Sequence, residues 1–191
     1  MKCYILMGSP RKNGNTAALL EPFIDEMEKN GVSCETDWLY DMDIKGCVAC
    51  LHCQHNMNEP DCALKDDMQS VIKKALECDI LIYATPIYSW YCTAPMKAAM
   101  DRLIYCCNKT YMGQNGPRLL EGKKFASITS SGYRPEKGNS VWNMGLTNYS
   151  KHGGMNYIGV EGEKDHGYDH EFMSEEKAEH MRLFAREILS K

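Results

Sequence analysis

The sequence lacks the long apolar runs and the strong excess of one charge that define several large classes of protein. No stretch approaches the roughly 20 consecutive apolar residues that span a bilayer. Lys2 is followed by only five apolar residues before Gly8, whereas a secretory signal needs a longer apolar core. The formal net charge is −4 over 191 residues, so charge gives no support to binding of nucleic acid or of a membrane surface. These absences predict a cytoplasmic protein with neither nucleic-acid nor membrane partners.

Two common nucleotide-binding patterns are also missing from the first glycine-containing turn, residues 8–16. The turn does not end in the Gly-Lys-Ser or Gly-Lys-Thr of a P-loop. It also lacks the Gly-x-Gly-x-x-Gly pattern of dinucleotide-binding enzymes. Any phosphate bound at this turn must therefore be held by a different set of groups.

What the sequence does contain is an alternation of apolar strands with amphipathic helices. Residues 79–85 (DILIYAT) form a near-continuous apolar run, which is typical of a parallel strand covered on both faces. The alternation indicates one α/β domain over residues 1–191, with a doubly wound parallel sheet and helices on both faces. The predicted strands are 2–7, 32–40, 79–85, 124–129 and 155–160, and the predicted helices are 17–28, 66–77, 93–107 and 174–189.

The segments between these elements are long for a compact domain. We expect irregular structure over 46–65, 108–122, 132–154 and 161–173, and loops of this length are usually functional or face a partner. Pro22 lies inside the first predicted helix and is expected to kink or split it, because proline removes a backbone donor and clashes with the preceding turn.

Polar loops follow three of the predicted strands at their carboxyl ends, where open parallel sheets bind ligands. The loop 9–16 opens a helix, and its backbone N–H groups, hydroxyls and Arg11 suit a phosphate. A plain helix cap without a ligand fits the same residues about equally well. The aromatic side chains of 86–92 suit one wall of a flat ring, or packing on a neighbouring helix. The small residues of 129–133 allow close backbone approach, although an ordinary turn is the simpler interpretation.

The first two loops resemble those of the NADPH-dependent FMN reductase family. The residues that carry the resemblance are Gly-Ser-Pro-Arg-x-x-Gly-Asn-Thr at 8–16 and Thr-Pro-Ile-Tyr at 85–88, and the spacing to the loop at 129–132 also matches. The resemblance covers about residues 1–135. It implies a flavodoxin-like fold with the strand order 2-1-3-4-5 and FMN as the cofactor.

The resemblance also implies roles for individual residues in binding FMN. The first loop would hold the phosphate and the ribityl chain, the second would border the isoalloxazine ring, and the third would touch its other edge. No side chain need act as acid or base, because the flavin itself carries the redox chemistry. The implied FMN-binding residues are Ser9, Arg11, Asn13, Asn15 and Thr16, then Pro86, Ile87, Tyr88, Ser89 and Trp90, and finally Ser130, Ser131 and Gly132.

Cysteine is abundant, and four of the ten cysteines fall within sixteen residues, at Cys47, Cys50, Cys53 and Cys62. In a cytosolic domain such a cluster indicates a metal or redox site rather than a disulfide framework. The two-residue gaps suit a [4Fe-4S] cluster held by four thiolates. They also resemble the motif of iron–sulfur flavoproteins, but the gap of eight residues before Cys62 is longer than in those relatives.

Two other interpretations of this segment stay open. His52 and His55 lie in the same loop, so the segment also suits zinc, and the third possibility is a loop that binds no metal. The six remaining cysteines lie in or next to predicted strands and helices, where a free thiol acts as a small hydrophobic group. They are Cys3, Cys34, Cys78, Cys92, Cys106 and Cys107.

The function implied by the resemblance is electron transfer through FMN. The donor would be NAD(P)H or a reduced protein such as ferredoxin, and the acceptor a small molecule such as a flavin or quinone. The main alternative is a non-enzymatic electron carrier of the flavodoxin type; such carriers tend to be strongly acidic, and a charge of −4 favours an enzyme modestly. A zinc protein without flavin is a third hypothesis. By analogy with the family, we expect a homodimer or homotetramer.

Overall fold

The computed structural model describes residues 1–167 and 169–191, and its framework is a five-stranded sheet. All strand pairings are parallel, and the strand order is β2-β1-β3-β4-β5. This order confirms the predicted doubly wound α/β architecture. The strands are β1 (Lys2–Met7), β2 (Ser33–Trp38), β3 (Ile80–Pro86), β4 (Lys124–Ser131) and β5 (Asn156–Lys164).

Helices cover both faces of the sheet. On one face α1 and α6 pack over Ile5 and Ile82, and on the other α2, α3 and α5 pack over Tyr4 and Tyr83. None of the helices in the described residues combines the length and the apolar content needed to cross a membrane. The helices are α1 (Asn15–Lys29), α2 (Met68–Glu77), α3 (Ala94–Cys107), α4 (Pro135–Gly138), α5 (Ser140–Gly153) and α6 (Glu175–Ser190).

The centre of the sheet follows directly from the apolar run noted in the sequence. All seven residues of β3 are buried, because β3 lies between β1 and β4 and beneath helices on both faces. The strand β2 lies at the sheet edge and is only partly buried, as its polar sequence predicts. The carboxyl ends of β1, β3 and β4 are therefore adjacent, and this arrangement brings three loops together.

Two segments that were expected to be irregular contain regular structure. The prediction for 132–154 is wrong, because α4 and α5 occupy most of it. The apolar stripe of α5 is only one residue wide, with Trp142 and Leu146 buried, so the helical period is weak in the sequence. The prediction for 161–173 is wrong at its start, since β5 continues to Lys164.

Pro22 does not split the first helix. The helix α1 runs from Asn15 to Lys29 as one element, with Pro22 buried inside it. Leu19, Phe23 and Met27 anchor the helix on both sides of the proline in the core that it shares with α6. Packing thus offsets the loss of one backbone hydrogen bond.

Candidate functional site

Three loops meet at the carboxyl edge of the sheet, which we define as residues 8–16, 86–92 and 130–134. Short backbone hydrogen bonds hold them in register. The N–H of Gly8 donates to the carbonyl of Ala84 at 2.7 Å, and the N–H of Ile87 donates to the carbonyl of Ser130 at 2.8 Å. The loops are therefore joined through the strands that precede them.

A buried pair of hydroxyls links the first loop to the third. The Thr16 and Ser130 hydroxyls share a hydrogen bond of 2.8 Å, although 114 residues separate them in the sequence. Ser9 is also buried, and its Oγ accepts from the N–H of Arg11 at 3.2 Å. Small polar groups thus line the floor of the carboxyl edge.

The amino end of α1 opens onto this floor. Its N-cap residue is Gly14, which has no side chain that could accept from the first-turn N–H groups. These N–H groups have no partner within the helix, and the helix dipole adds partial positive charge there. Arg11 and Asn13 are exposed at the rim and Asn15 is half-buried. This donor set fits the dianionic phosphate of FMN.

Gly8 allows a close approach between the first loop and α3. The Thr93 hydroxyl donates to the Gly8 carbonyl at 2.8 Å, so β1 ends directly against the start of α3. A Cβ at position 8 would lie 2.9 Å from the Thr93 Oγ1 and 3.1 Å from the Met96 Cβ. Thr93 is the N-cap residue of α3, but its side chain donates to Gly8 instead of capping the helix.

Aromatic side chains form the outer wall of the carboxyl edge. Tyr88 and Tyr91 exchange backbone hydrogen bonds across a tight turn. Its two central residues, Ser89 and Trp90, have φ values of 50° and 64°, a left-handed conformation that is uncommon without glycine. The turn projects the Trp90 ring toward Tyr133 of the third loop, where the two rings stack at 5.5 Å between centroids. Pro86 is buried in β3, whereas Tyr88 is about half exposed.

The four clustered cysteines lie away from this edge and line one pocket, which we call the cysteine pocket. Cys47 and Cys50 are exposed at its mouth, Cys62 is half-buried, and Cys53 is buried. Cys106 of α3 also lines the pocket. The sequence interpretation treated Cys106 as a structural thiol and missed its place here.

Arg102 of α3 holds the two ends of the segment 46–65 that carries the four clustered cysteines, which we call the cysteine loop. Its guanidinium donates to the Asp66 carboxylate at 2.5 Å and to the Lys45 carbonyl at 3.1 Å. It also donates to the Cys62 sulfur at 3.3 Å and to the Leu64 carbonyl at 3.2 Å. Both Arg102 and the Asp66 side chain are almost fully buried. Burial alone would raise the pKa of Asp66, but this guanidinium and two backbone N–H groups lower it below its usual value.

The second predicted helix, 66–77, begins two residues later than expected, and Asp66 lies just before it. The Gln69 side chain accepts from the Asp66 N–H at 3.0 Å, and the Asp66 carboxylate accepts from the Met68 N–H at 3.1 Å. The helix begins at Met68, and the other Asp66 oxygen accepts from the Lys45 N–H and from Arg102. The residue thus joins α2, α3 and the cysteine loop.

A short turn at His52–Gln54 is fixed to the carboxyl end of α3. The Gln54 side-chain amide donates to the carbonyls of Tyr105 and Asn108, at 2.7 and 3.0 Å. The Lys109 ammonium, fully buried, donates to the Cys53 carbonyl at 2.6 Å. These contacts satisfy carbonyls that the end of a helix leaves free, and they place a cation beside the negative end of its dipole.

Cys53 and Cys106 both line the cysteine pocket. The neighbouring Cys106 thiol, with smaller contributions from Gln54 and Lys109, outweighs the effect of burial and lowers the pKa of Cys53 to about 6. The same neighbourhood, together with burial, raises the pKa of Cys106. The Cys53 thiol itself donates to the Tyr105 carbonyl at 3.3 Å.

The cysteine pocket meets only part of what a metal centre requires. Its thiols, together with the buried cations Arg102 and Lys109, suit a negatively charged group. However, no set of three or more His, Cys, Asp or Glu side chains in residues 1–167 and 169–191 is gathered closely enough to hold a metal ion. The predicted ligands Cys47, Cys50, Cys53 and Cys62 therefore share a pocket without forming a coordination shell.

The two regions are separated along α3. The carboxyl edge lies at its first residues, near Thr93, while the cysteine pocket contacts Arg102 and Cys106. At 1.5 Å per residue, these two lie about 12 and 18 Å along the helix axis from Ala94. Within one chain, the carboxyl edge and the cysteine pocket are thus distinct sites.

Comparison with known proteins gives a family and a set of relatives. A model of the NADPH-dependent FMN reductase family matches residues 1–159. An iron-sulfur flavoprotein of Archaeoglobus fulgidus is 34% identical over 134 residues, which make up 70% of this chain and 61% of that protein. The chain spans between 51% and 61% of the length of the three iron-sulfur flavoproteins that it matches first.

Solved structures share the fold at lower sequence identity. The NAD(P)H:quinone oxidoreductase from Methanothermobacter marburgensis has a TM-score of 0.73 at 21% identity, over 97% of this chain and 94% of that one. A flavodoxin from the domain Archaea has a TM-score of 0.59 at 15% identity, over 100% and 97% of the two chains. The fold is therefore flavodoxin-like, and the family match identifies the chain as a member of the NADPH-dependent FMN reductase family.

Proposed function

We propose that this protein is an FMN-dependent oxidoreductase that takes electrons from NAD(P)H and passes them to a small acceptor such as a flavin or a quinone. The observation that carries the proposal is the convergence of three polar loops on one floor, where the Thr16 and Ser130 hydroxyls meet beneath the uncapped start of α1. Family membership supports FMN as the molecule that these loops bind.

Each loop has a separate role in the proposed complex. The first-turn N–H groups of α1, together with the remaining polar side chains of the first loop, hold the phosphate and ribityl chain. The turn from Pro86 to Trp90 borders the flavin ring. The hydrogen bond from the Ile87 N–H to the Ser130 carbonyl of β4 fixes the position of the turn. The small residues of the third loop let the other edge of the ring approach the backbone. The phosphate-side residues are Ser9, Arg11, Asn13, Asn15 and Thr16, and the ring-side residues are Ile87, Tyr88, Ser89, Ser130, Ser131 and Gly132.

The chemistry divides between cofactor and protein. When bound, FMN supplies the hydride and electron chemistry. The protein binds and orients it, and the stacked pair Trp90 and Tyr133 covers the side of the edge that faces solvent. No side chain at the carboxyl edge is required as a general acid or base, so the catalytic contribution of the chain is positioning.

Steady-state oxidation of NADH and NADPH tests the proposal. Protein reconstituted with FMN should bleach its visible flavin absorbance when mixed anaerobically with either nicotinamide, and should recover the absorbance when a quinone or free flavin is added. Thr147→Val, on the exposed face of α5, should behave as wild type. Protein that holds FMN but turns over no nicotinamide with any acceptor contradicts the reductase proposal and favours a flavodoxin-type electron carrier.

Three further predictions accompany this function, and they concern the metal centre, the electron donor and the oligomeric state. The relatives named iron-sulfur flavoproteins support an iron–sulfur cluster at the four clustered cysteines, and we propose the [4Fe-4S] form. Iron and sulfide assays on anaerobically purified protein test it, and stoichiometric zinc would favour the zinc alternative. Reduced ferredoxin is the alternative donor. A homodimer or homotetramer requires a solution mass above 21.7 kDa.

A further inference from the structure

Two cysteines outside the cysteine pocket lie side by side in the sheet. Cys3 of β1 and Cys34 of β2 are register partners in the parallel pairing of these two strands. Side chains of paired residues in neighbouring strands stand on the same face of the sheet, and both cysteines pack into the core that β1 shares with α1 and α6. The sequence interpretation treated each of them as a separate small apolar group, whereas the sheet topology makes them a pair.

The spacing of the two strands suits a disulfide with some strain. Neighbouring strands lie about 4.8 Å apart, and the Cα atoms of a disulfide lie about 4.4–6.8 Å apart. Side chains that stand parallel keep their Cβ atoms about as far apart as their Cα atoms, whereas a relaxed disulfide brings the Cβ atoms to about 3.5–4.5 Å. Closing the bond must therefore draw the strands slightly together. Strained disulfides are more easily reduced, so a bond between these residues would be reversible.

The position of β2 in the sheet allows this small movement. The strand lies at the sheet edge, and within the described part of the chain β1 is its one strand partner. Most of its residues are only partly buried, so few packing contacts oppose a shift toward β1. A pair of cysteines in the central strands would not have this freedom.

The two thiols differ in exposure and in acidity. Cys34 is partly exposed at the sheet edge, whereas Cys3 retains 1% of its surface exposed. The neighbouring Cys3 thiol lowers the pKa of Cys34, in spite of burial and of the nearby Glu28 carboxylate. The neighbouring Cys34 thiol, together with burial, raises the pKa of Cys3. Cys34 is therefore the sulfur that a dissolved oxidant meets first and the more nucleophilic of the two at neutral pH.

We propose that Cys3 and Cys34 form a reversible disulfide between β1 and β2 when the protein meets a hydroperoxide. In the first step the Cys34 sulfur attacks the peroxide, the O–O bond breaks, and Cys34 becomes a sulfenic acid while the peroxide leaves as an alcohol or water. In the second step the Cys3 sulfur attacks the Cys34 sulfur, the S–S bond forms, and water leaves with the proton of the Cys3 thiol. The two thiols lose two electrons in total, and the peroxide gains them.

The disulfide would fasten the edge strand to the sheet and leave the flavin site in place. Both cysteines lie near the amino ends of their strands, opposite the carboxyl edge. At about 3.3 Å per residue, β1 places Cys3 about 17 Å from Gly8 of the first loop. The inference therefore goes beyond the proposed function and does not depend on flavin binding.

Peptide mapping tests the disulfide directly. The full-length protein is treated with hydrogen peroxide, alkylated in denaturant and digested with trypsin without reduction. Cleavage after lysine and arginine places Cys3 as the single cysteine of peptide 3–11 and Cys34 as the single cysteine of peptide 30–45. We expect these two peptides to be cross-linked after oxidation and to separate after treatment with dithiothreitol.

Cys78 provides a matched control, because it lines a surface pocket together with Cys3 but belongs to peptide 75–97. The cross-link should persist in Cys78→Ala and disappear in Cys34→Ser and in Cys3→Ala. Three outcomes would each overturn the proposal: a cross-link between peptides 3–11 and 75–97, a sulfinic acid on Cys34 with Cys3 left as a free thiol, or both thiols unchanged while other cysteines oxidise. FMN binding by the oxidised protein, measured in parallel, separates this result from the proposed function.

Discussion

The carboxyl edge and the cysteine pocket are built in opposite ways. The edge is made of backbone groups and small hydroxyls at the ends of three adjacent strands, so the sheet itself positions it. The pocket is made by an irregular loop that buried charged side chains fasten to α3. The first site is therefore a consequence of the sheet topology, whereas the second depends on a few long side chains.

The largest effect is expected from Arg102→Met, which removes the charge that holds the cysteine loop. Asp66 would be left buried without its partner, so unfolding free energy should fall by about 3–5 kcal/mol. Urea unfolding measures the loss. Arg186→Met, at a side chain that is 46% exposed, should cost less than about 1 kcal/mol.

A second variant shows whether the Arg102 effect comes from the unpaired charge. Arg102→Met combined with Asp66→Leu removes both charges, and it should regain much of the lost stability. If Arg102→Met alone is as stable as wild type, the cysteine loop is not held by this ion pair, and the contrast between the two regions fails.

The next largest effect is expected at the carboxyl edge, from Gly8→Ala. The new Cβ would press on the Thr93 hydroxyl and on Met96, which should cost about 1–3 kcal/mol and displace the first loop. Gly46→Ala, in the cysteine loop, has open space around it and should change stability little. Thermal unfolding of both variants measures the loss of stability in each region. Equal losses of stability would mean that close packing is not confined to the carboxyl edge.

A smaller effect is expected from the aromatic wall. Trp90→Ala should weaken FMN binding by about tenfold, since stacking of an aromatic side chain on a planar base is worth about 1–3 kcal/mol. Trp90→Phe should retain most of the affinity. The control is Val48→Ala, which removes an exposed apolar side chain from the cysteine loop. Calorimetric titration of FMN into the apoprotein measures all three, and equal affinity of Trp90→Ala and wild type would remove Trp90 from the flavin site.

The smallest effect concerns pH, at the contact between β5 and α6. His180 binds Glu163 at 2.8 Å and Glu161 at 3.0 Å. Partial burial lowers the pKa of His180, but the two carboxylates outweigh it and raise the pKa above the usual value. The stabilisation is therefore complete below about pH 6.5, the ordinary histidine value, and is lost as pH rises through the higher value of the folded protein.

His180→Gln isolates that contribution. The variant should be less stable than wild type at pH 6, by less than about 1 kcal/mol because the side chain is over a third exposed. The difference should shrink at pH 9. His55→Gln, at an exposed histidine of the cysteine loop, is the matched control substitution. A stability difference between His180→Gln and wild type that grows as pH rises would contradict the predicted direction of the effect.

Much of the fold could be predicted because its signals are local. The apolar run at β3 and the alternation of strands with helices are sufficient for the parallel sheet, and its order follows from the family that the 8–16 loop resembles. The helix α5 was missed because only a narrow stripe of it is buried, so periodicity cannot separate it from a loop.

The contacts that define the two sites could not be predicted, because they join distant segments. Nothing near Thr16 in the sequence indicates that its hydroxyl meets Ser130. Arg102 carries a weak signal, as a charged residue among the apolar positions of α3, but its four partners are invisible before folding. Cys106 was indistinguishable from Cys107 until the turn at His52–Gln54 was seen against α3.

Titration of FMN into apoprotein carrying Thr16→Val tests the central claim most directly. The substitution keeps the shape of the side chain and removes the hydroxyl at the centre of the carboxyl edge. Loss of a hydrogen bond to a charged or strongly polar ligand, worth about 1.5–3 kcal/mol, should raise the FMN dissociation constant by about 10- to 100-fold. The same exchange at the exposed Thr147 should leave the dissociation constant unchanged. Wild-type affinity in Thr16→Val would contradict the assignment of the flavin to the carboxyl edge.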